Sequence, residues 1–147
     1  MVENDERHIG KLLKILSNSI RRKIETQLSQ RGIEVTSSQS RIIGYVYRQS
    51  QVRNVYQKDI EEEFDIRRST VTNTLQILEK NGYITRVSVD EDARLKKILL
   101  TDKGIAINEI LRKTILDVEG TLSNIYSPEE LNELFHLLDK LYTFLEE

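Results

Sequence analysis

The 147-residue chain contains no cysteine. It therefore cannot form a disulfide, bind a metal through thiolates, attack a substrate with a cysteine or sense oxidants through a thiol of its own. Its only two histidines, His8 and His136, are far apart and lack partners at the short spacing of a metal site. We interpret both as ordinary helix residues and predict that the chain holds no metal.

Further absences narrow the class of protein. The single proline leaves no Pro-rich linker, and no window approaches the roughly 20 apolar residues of a membrane span. The amino-terminal segment is acidic and then amphipathic, without the apolar core of a signal peptide. No Gly-rich phosphate loop and no supported Ser/His/Asp set occurs. We expect a soluble, cytoplasmic protein that is not an enzyme, needs no cofactor and has no membrane partner.

The charges that are present are unevenly distributed. The formal net charge is −2, yet eight basic residues face five acidic ones between Ile66 and Lys103. From Gly104 to the end, nine acidic residues outnumber three basic ones. A basic middle with an acidic tail is typical of a DNA-reading face backed by a module that points away from the duplex. Charge alone fits an ordinary solvated surface equally well. The choice between the two interpretations therefore depends on the predicted helices and strands.

The amino-terminal third is predicted to form two helices. Apolar residues recur at three- and four-residue steps over 9–28, and Gly32 supplies a left-handed position for the end of that helix. Thr36 and Gln39 form the pattern of a capping box, which predicts the start of a second helix. We expect residues 48–54 to form a loop and the second helix to bury four side chains: Ile42, Ile43, Val46 and Tyr47.

Two more helices are predicted after residue 100. Thr101 or Asp102 caps the first of them, whose apolar residues continue to Ile125. Residues 127–130, Ser-Pro-Glu-Glu, are a strong start for the last helix because they offer a serine cap, an early proline and a glutamate at the third position. The apolar residues of the last helix fall on one stripe: Leu131, Leu134, Phe135, Leu138, Leu141, Tyr142 and Leu145.

The middle of the chain shows the spacing of a helix-turn-helix. A short helix over 59–64 and a tight connection over 65–67 precede a longer helix from Ser69 to Asn81, the recognition helix. The period then changes to strand-like alternation over 84–89, a turn over 90–93 and a second β-prone run over 94–100. This order predicts a mainly α fold with a small β-hairpin wing: a winged helix-turn-helix flanked by helices at both ends.

The same stretch resembles the MarR family (multiple antibiotic resistance regulators). Residues 92–101, Asp-Ala-Arg-Leu-Lys-Lys-Ile-Leu-Leu-Thr, match the family wing pattern D-x-R-x-x-x-(I/V)-x-L-T, with the usual glycine at 104. Residues 69–72 and 78–84 are similar to the family's recognition helix and its exit. In one respect the chain departs from the pattern, because Tyr56-Gln57 stands where the family often has a hydroxyl cap.

The resemblance implies a homodimer whose terminal helices interleave, with two winged lobes on a pseudo-palindromic DNA site. Residues 1–34 and 102–147 would then be dimerisation helices, and residues 35–101 the winged helix-turn-helix of a single 1–147 domain. The abundance of apolar residues in the terminal helices supports this arrangement, since one small winged core cannot cover them. Repression of transcription is the family default.

The recognition helix carries the first group of candidate DNA contacts. Its amino-terminal end would meet base edges in the major groove, where Arg pairs with guanine, Asn pairs with adenine and Thr methyls contact thymine. For Ser69, capping of the helix is an equal alternative, and the others are otherwise solvated surface. The candidates are Arg67, Arg68, Ser69, Thr70, Thr72 and Asn73.

The wing and two helix starts carry the second group. Arg94, oriented by Asp92, is expected to enter a narrow minor groove, where the negative potential attracts a guanidinium. A surface salt bridge is the alternative. The remaining candidates are phosphate contacts of low specificity: Arg86, Lys96, Lys97, Ser37, Ser38, Gln57 and Lys58.

Two further expectations concern a small-molecule effector and the kind of partner that the winged helix binds. The family resemblance implies a small aromatic or phenolic effector in a cleft between the dimerisation helices and the winged lobe, for which Tyr45, Tyr47 and Tyr56 are candidate lining residues. Aromatic core or surface is the commoner role of such residues. The alternative class of function is a winged-helix module that binds protein rather than DNA, against which the basic wing and the hydroxyl-bearing helix both argue.

Overall fold

A computed structural model describes residues 7–89 and 92–147 of the chain. The side chains of residues 92–94 lie outside the described part, although their backbone belongs to a strand. The described elements are α1 (Ile9–Gln30), α2 (Ser37–Ser50), α3 (Gln57–Phe64), α4 (Arg68–Lys80), β1 (Ile84–Val89), β2 (Asp92–Leu100), α5 (Asp102–Ser123) and α6 (Pro128–Glu146). This order confirms the predicted winged helix-turn-helix with flanking helices.

The start of α2 is the predicted capping box. The Thr36 hydroxyl accepts from the Gln39 amide at 3.2 Å, and the Gln39 side chain accepts from the Thr36 amide at 3.1 Å. The helix extends to Ser50, so the prediction of a loop from residue 48 was wrong by one turn. It buries Tyr45 beside Ile42, Ile43 and Val46, whereas Tyr47 remains 37% exposed, contrary to the prediction.

A left-handed residue joins the two short helices of the middle. Asp65 has a φ of 49°, a conformation that Asp tolerates better than most residues. This turn places Arg67, not Ser69, at the N-cap of α4, and the Arg67 side chain makes no capping bond. The alternative that Ser69 caps the helix was therefore wrong. On the inner face of α4, Val71, Leu75 and Leu78 are buried as predicted.

The wing is an antiparallel hairpin whose base is tied to the helices. Pairing runs from Ile84 opposite Leu100 to Ser88 opposite Lys96, with an irregularity after Ser88. Strand β2 begins at Asp92, so the predicted turn over 90–93 was too long at its end, and residues 90–91 lie outside the described part. The amide of Ile98 donates to the Val55 carbonyl at 2.8 Å, which fastens the wing to the segment before α3.

One apolar core unites α2, α3, α4, the base of the wing and the middle of α5. Its buried members come from every one of those elements, and α1 adds Leu28 from its last turn. Burial of this kind stabilises a protein by about 25 cal/mol for each Å² of apolar surface removed from water. The core therefore fixes the position of α4 relative to the wing. Its largest buried side chains are Leu28, Ile42, Ile43, Ile60, Leu75, Leu78, Ile84 and Ile98.

The ends of the chain contribute little to that core. Helix α6 has no buried residue, although Phe135, Leu138 and Tyr142 share one face at 54%, 39% and 65% exposure. The first half of α1 exposes Ile9 and Leu16 in the same way. None of the described helices is long and apolar enough to cross a membrane. These faces are unpartnered within a single copy of the described chain.

The first turn of α5 closes on the end of α4. Three successive carbonyls after the helix, those of Asn81, Gly82 and Tyr83, accept hydrogen bonds from Lys103 Nζ (2.7 Å), Thr101 Oγ1 and the Thr101 amide (3.1 Å) respectively. The Thr101 hydroxyl also caps α5 by accepting from the Gly104 amide at 3.0 Å, so that Thr101, of the two predicted candidates, is the cap. We call this contact the α4–α5 junction.

Gly104 is expected to be essential to the junction. A Cβ at this position would press against the Tyr83 carbonyl, a backbone group that cannot move aside cheaply. We expect Gly104→Ala to lower the free energy of unfolding by about 2 kcal/mol, the typical cost of forcing an extra carbon into a packed site. The measurement is equilibrium denaturation by urea.

Gly120→Ala is the matched control in the same helix. A Cβ there meets nothing within 4 Å, and alanine is the better helix former by about 0.5–1 kcal/mol. The control should be neutral or stabilising. Equal midpoints for the two variants would contradict the assignment of Gly104 as the point of close approach.

Candidate nucleic-acid interface

The outer face of α4 is polar and exposed to solvent. With Val71, Leu75 and Leu78 turned inward, the 100° helical step places Ser69, Asn73 and Gln76 on the opposite side. All three are exposed, as is Lys80 one turn further on. Ser69 and Asn73 were predicted contacts, but Gln76 was missed because the prediction stopped at the first turn and a half. Gln, like Asn, can bond bidentately to adenine.

The amino-terminal end of α4 brings two more predicted cations to the same face. Arg67 and Arg68 are both exposed, and neither forms an ion pair within 4 Å among the described residues. Thr70 is exposed on one flank of the helix, whereas Thr72 is half-buried on the flank that faces the wing. The helix therefore offers arginines at its tip, hydroxyl and amide groups along its face, and one threonine turned aside.

The start of α3 packs against that flank. Gln57 Nε2 donates to Thr72 Oγ1 at 2.8 Å and to the Arg68 carbonyl at 3.4 Å. In place of the missing hydroxyl cap, the Asp59 carboxylate accepts from the Tyr56 amide at 2.8 Å. The Arg53 guanidinium lies 3.2 Å from that carboxylate. The departure from the family pattern thus leaves the helix start intact, with Lys58 exposed beside it.

The Arg86 side chain is paired with another side chain of the same chain, which the sequence did not predict. Its Nε donates to one Glu79 carboxylate oxygen at 3.0 Å and its terminal nitrogen donates to the other at 3.2 Å. The bidentate pair joins the carboxyl-terminal end of α4 to β1 of the wing. The Arg86 side chain is 21% exposed. We therefore assign Arg86 to fixing the wing against α4 and leave its predicted phosphate contact untested.

The remaining wing candidates lie on β2. Lys96 is exposed and Lys97 is half-buried, and neither forms an ion pair within 4 Å among the described residues. The backbone of Asp92 and Arg94 belongs to the first three residues of the strand, at the end away from the core. Their side chains lie outside the described part, so the predicted bond between them stays a prediction.

Ser37 and Ser38 lie apart from this group. They occupy the first turn of α2 and line an open cavity of about 790 Å³ with Arg21, Arg22 and Asn81. That cavity opens beside the carboxyl-terminal end of α4, not beside its tip. Any phosphate that these serines contact is therefore a different one from those near Arg68 and Lys96.

The three candidate tyrosines do not share one cleft. Tyr45 is buried. Its ring packs edge-on against that of Phe64, with 5.5 Å between the ring centroids, and its hydroxyl accepts a hydrogen bond from Arg53 at 3.1 Å. Tyr56 faces the gap between α4 and the wing. Only Tyr47 lines the cavity of about 580 Å³ between α2 and α5. Among the described residues, no group of three or more His, Asp or Glu side chains is arranged to hold a metal.

Comparison with known proteins places these features in a family context. Residues 33–95 match the family model described as MarR family. The HTH-type transcriptional regulator BilQ of Clostridioides difficile (strain CD3) is 26% identical over 98 residues, 65% of this chain and 66% of BilQ. The organic hydroperoxide resistance transcriptional regulator of Bacillus subtilis (strain 168) is 33% identical over 89 residues, 60% of this chain and 57% of that regulator.

Solved structures of MepR, a transcription regulator of the Staphylococcus aureus multidrug efflux pump MepA, match nearly the whole chain. One has a TM-score of 0.79 at 28% identity, covering 95% of this chain and 99% of MepR. A MepR mutant from a multidrug resistant clinical isolate is 30% identical with a TM-score of 0.67, covering 97% and 100%. A MepR–DNA complex gives 0.77 at 29% identity, covering 94% and 98%.

These comparisons have two consequences. The relatives are transcription regulators, which agrees with the prediction of a regulator that is not an enzyme. The matched stretch spans less than two thirds of BilQ and of the B. subtilis regulator. What those proteins bind and how they assemble is therefore carried over to this chain only as a proposal.

The Glu79–Arg86 pair predicts a titration. Hydrogen bonds from Arg86 lower the pKa of Glu79 below its ordinary value. The pair therefore contributes stability above the unfolded pKa and loses it as the pH falls through the folded one. We expect Arg86→Met to raise the Glu79 pKa toward the ordinary value, as measured by NMR titration of the side-chain carboxyl carbon.

Arg112→Met is the matched control, since it removes the hydrogen-bonding partner of Glu109 on α5. The Glu79 titration should be the same in this variant as in the wild type. If Arg86→Met left the Glu79 titration unchanged, the link between α4 and the wing would not depend on this pair.

Proposed function

Because the chain belongs to the MarR family, we propose that it is a transcriptional regulator that binds a pseudo-palindromic DNA site as a homodimer. The observation that carries this proposal is the outer face of α4, where exposed hydroxyl and amide groups stand beside arginines that form no ion pair among the described residues. A helix of this composition can read base edges in the major groove. The wing then lies beside the adjacent minor groove.

The homodimer rests on the terminal helices. Apolar side chains on α6 and on the first half of α1 are exposed in one copy of the chain, and a monomer rarely exposes so continuous an apolar surface. A second copy related by a two-fold axis would cover both faces at once. Two copies of α4 would then meet successive major grooves about 34 Å apart.

Repression is the form of regulation that we propose, since a dimer seated across two major grooves obstructs access to the duplex. We further propose that a small aromatic or phenolic effector weakens DNA binding by changing the separation of the two α4 helices. The support is the cavity between α2 and α5, which Tyr47 lines with Phe64 and Ile115. Its position between the winged part and a dimerisation helix suits that role.

The proposed function is tested by retention of genomic DNA fragments on the purified protein at two salt concentrations. Binding through phosphates alone falls steeply as salt rises, whereas base-specific binding leaves a preferred sequence. We expect enrichment of a short palindrome that survives the higher salt. Equal retention of all fragments, or retention of none, would contradict sequence-specific regulation and favour a protein-binding module.

Arg94 is expected to be the most sensitive wing position. Its guanidinium would meet the negative potential of a narrow minor groove. Arg94→Ala should lower the affinity for the retained palindrome by about 1–3 kcal/mol without changing the thermal unfolding of the protein. The measurement is fluorescence anisotropy with a labelled duplex.

Lys140→Ala is the control for Arg94→Ala, because it removes one positive charge from α6 instead of from the wing. Its affinity for the duplex should match that of the wild type. An Arg94→Ala protein that binds as tightly as the wild type would show that the wing makes no energetically significant contact.

The dimer is tested on α6. Leu138→Lys places a charge on the exposed apolar face, and the desolvation of that charge opposes association. Glu133→Lys is the matched control, since it introduces the same residue on the opposite side of the helix. Sedimentation velocity should show monomers only for Leu138→Lys. Dimers in both variants, or monomers in the wild type, would contradict the interface.

A further inference from the structure

A notch separates α4 from the wing. It has a volume of about 360 Å³ and is lined on one side by Gln57, Arg68 and Thr72, and on the other by Arg86 and Lys96. Lys58 and Glu61 of α3 also border it. The Arg86 charge is taken up by Glu79. Lys58, Arg68 and Lys96 form no ion pair within 4 Å among the described residues, so the notch has an excess of available positive charge.

The Thr72 hydroxyl accepts a hydrogen bond in this notch, from Gln57 Nε2 at 2.8 Å. Of the other helical threonines, Thr74, Thr114 and Thr121 donate their hydroxyl proton to the carbonyl four residues earlier, at 2.8 to 2.9 Å, whereas Thr26 and Thr143 do not. The equivalent carbonyl for Thr72 is that of Arg68, which instead accepts from Gln57 Nε2. Among the described residues, the Thr72 hydroxyl donates to nothing.

Gln57 imposes this arrangement. The Arg68 carbonyl can only accept, so the amide nitrogen of Gln57, and not its oxygen, faces both that carbonyl and Thr72 Oγ1. With a lone pair of Thr72 Oγ1 occupied at 2.8 Å, the hydroxyl proton must point elsewhere. Because Thr72 lines the notch, a donor direction toward the opening is available to its hydroxyl.

The path of DNA brings a phosphate to that opening. A helix in a major groove and a wing in the adjacent minor groove lie on opposite sides of one sugar–phosphate strand, because that strand is what separates the two grooves. The notch is the gap between the helix and the wing, so the strand must cross it. This step rests on the proposed function.

From these observations we propose that the notch binds one DNA backbone phosphate, to which the Thr72 hydroxyl donates a hydrogen bond. Gln57 is a positioning residue that keeps the Thr72 hydroxyl from turning back to the Arg68 carbonyl. Arg68 and Lys96 supply positive charge from the two sides of the notch. Such a neutral donor adds geometric selectivity to a site whose cations alone attract any phosphate.

The test uses the palindrome retained from genomic fragments, synthesised with one neutral methylphosphonate at each successive position of a half-site. For the wild type, one position between the major-groove and minor-groove contacts should cost the most affinity. Thr72→Val, which keeps the shape and removes the hydroxyl, should bind the unmodified duplex about tenfold more weakly. It should also lose most of the penalty at that one position.

Three companion variants separate positioning from structural damage. Gln57→Leu should reproduce the tenfold loss in the wild-type background and add nothing to Thr72→Val, because both act through the same hydroxyl. Thr74→Val should bind like the wild type. Lys96→Met should reduce the salt dependence of binding, whereas Thr72→Val should leave it unchanged since no charge is lost. Thermal unfolding checks that each variant is folded.

A Thr72→Val protein with wild-type affinity, or one that keeps the wild-type methylphosphonate profile, would overturn the phosphate site while leaving the proposed function intact. Additive losses for Gln57→Leu and Thr72→Val would overturn the positioning role. A wild type that prefers no duplex would instead contradict the proposed function, and the phosphate site with it.

Discussion

The α4–α5 junction is the contact on which the rest of the structure depends. The turn that follows α4 carries three backbone carbonyls that accept hydrogen bonds from Thr101 and Lys103 at the start of α5. Gly104 lets the two backbones approach within that contact. The helix that we propose to face DNA is thereby hydrogen-bonded, through the turn that follows it, to the start of a helix that we assign to the dimer.

Around that junction, polar bonds divide the basic residues into two groups. Arg86 is held by Glu79 and Arg53 by Asp59, so these guanidinium groups serve the internal geometry of the winged part. Arg67, Arg68 and Lys96 have no such partner among the described residues. Exposed ion pairs contribute little to stability. The accumulation of these cations on one face suits the polyanionic partner that we propose.

Much of the fold follows from local patterns that leave little choice. The caps at Thr36, Thr101 and Ser127 were predictable because each side chain satisfies backbone groups only a few residues away. The start of α4 was not, because it depends on the left-handed conformation of Asp65. That conformation has no strong sequence signal in an aspartate. The choice of Tyr45 over Tyr47 for burial likewise depends on where Phe64 and Arg53 lie in space.

Some residues of the candidate site could likewise be predicted from the sequence, and others could not. Ser69 and Asn73 could be predicted from the inward direction of Val71 and Leu75, since helix geometry relates opposite faces. Gln76 needed only the same rule carried one turn further. The bonds from Arg86 to Glu79 and from Gln57 to Thr72 link residues 7 and 15 positions apart on different elements. Their partners become evident only once the elements are packed, and both change the role that each side chain is given.

In the dimer that we propose, two copies of the chain hold their α4 helices at the spacing of successive major grooves. Because the chain has no cysteine, Lys80→Cys introduces a single spin-label site at the exposed end of α4. Electron–electron dipolar spectroscopy on the protein bound to its palindrome should give one narrow distribution of distances on the order of 34 Å. Absence of a dipolar signal, or a broad distribution unchanged by the duplex, would contradict a dimer that spaces its α4 helices for successive major grooves.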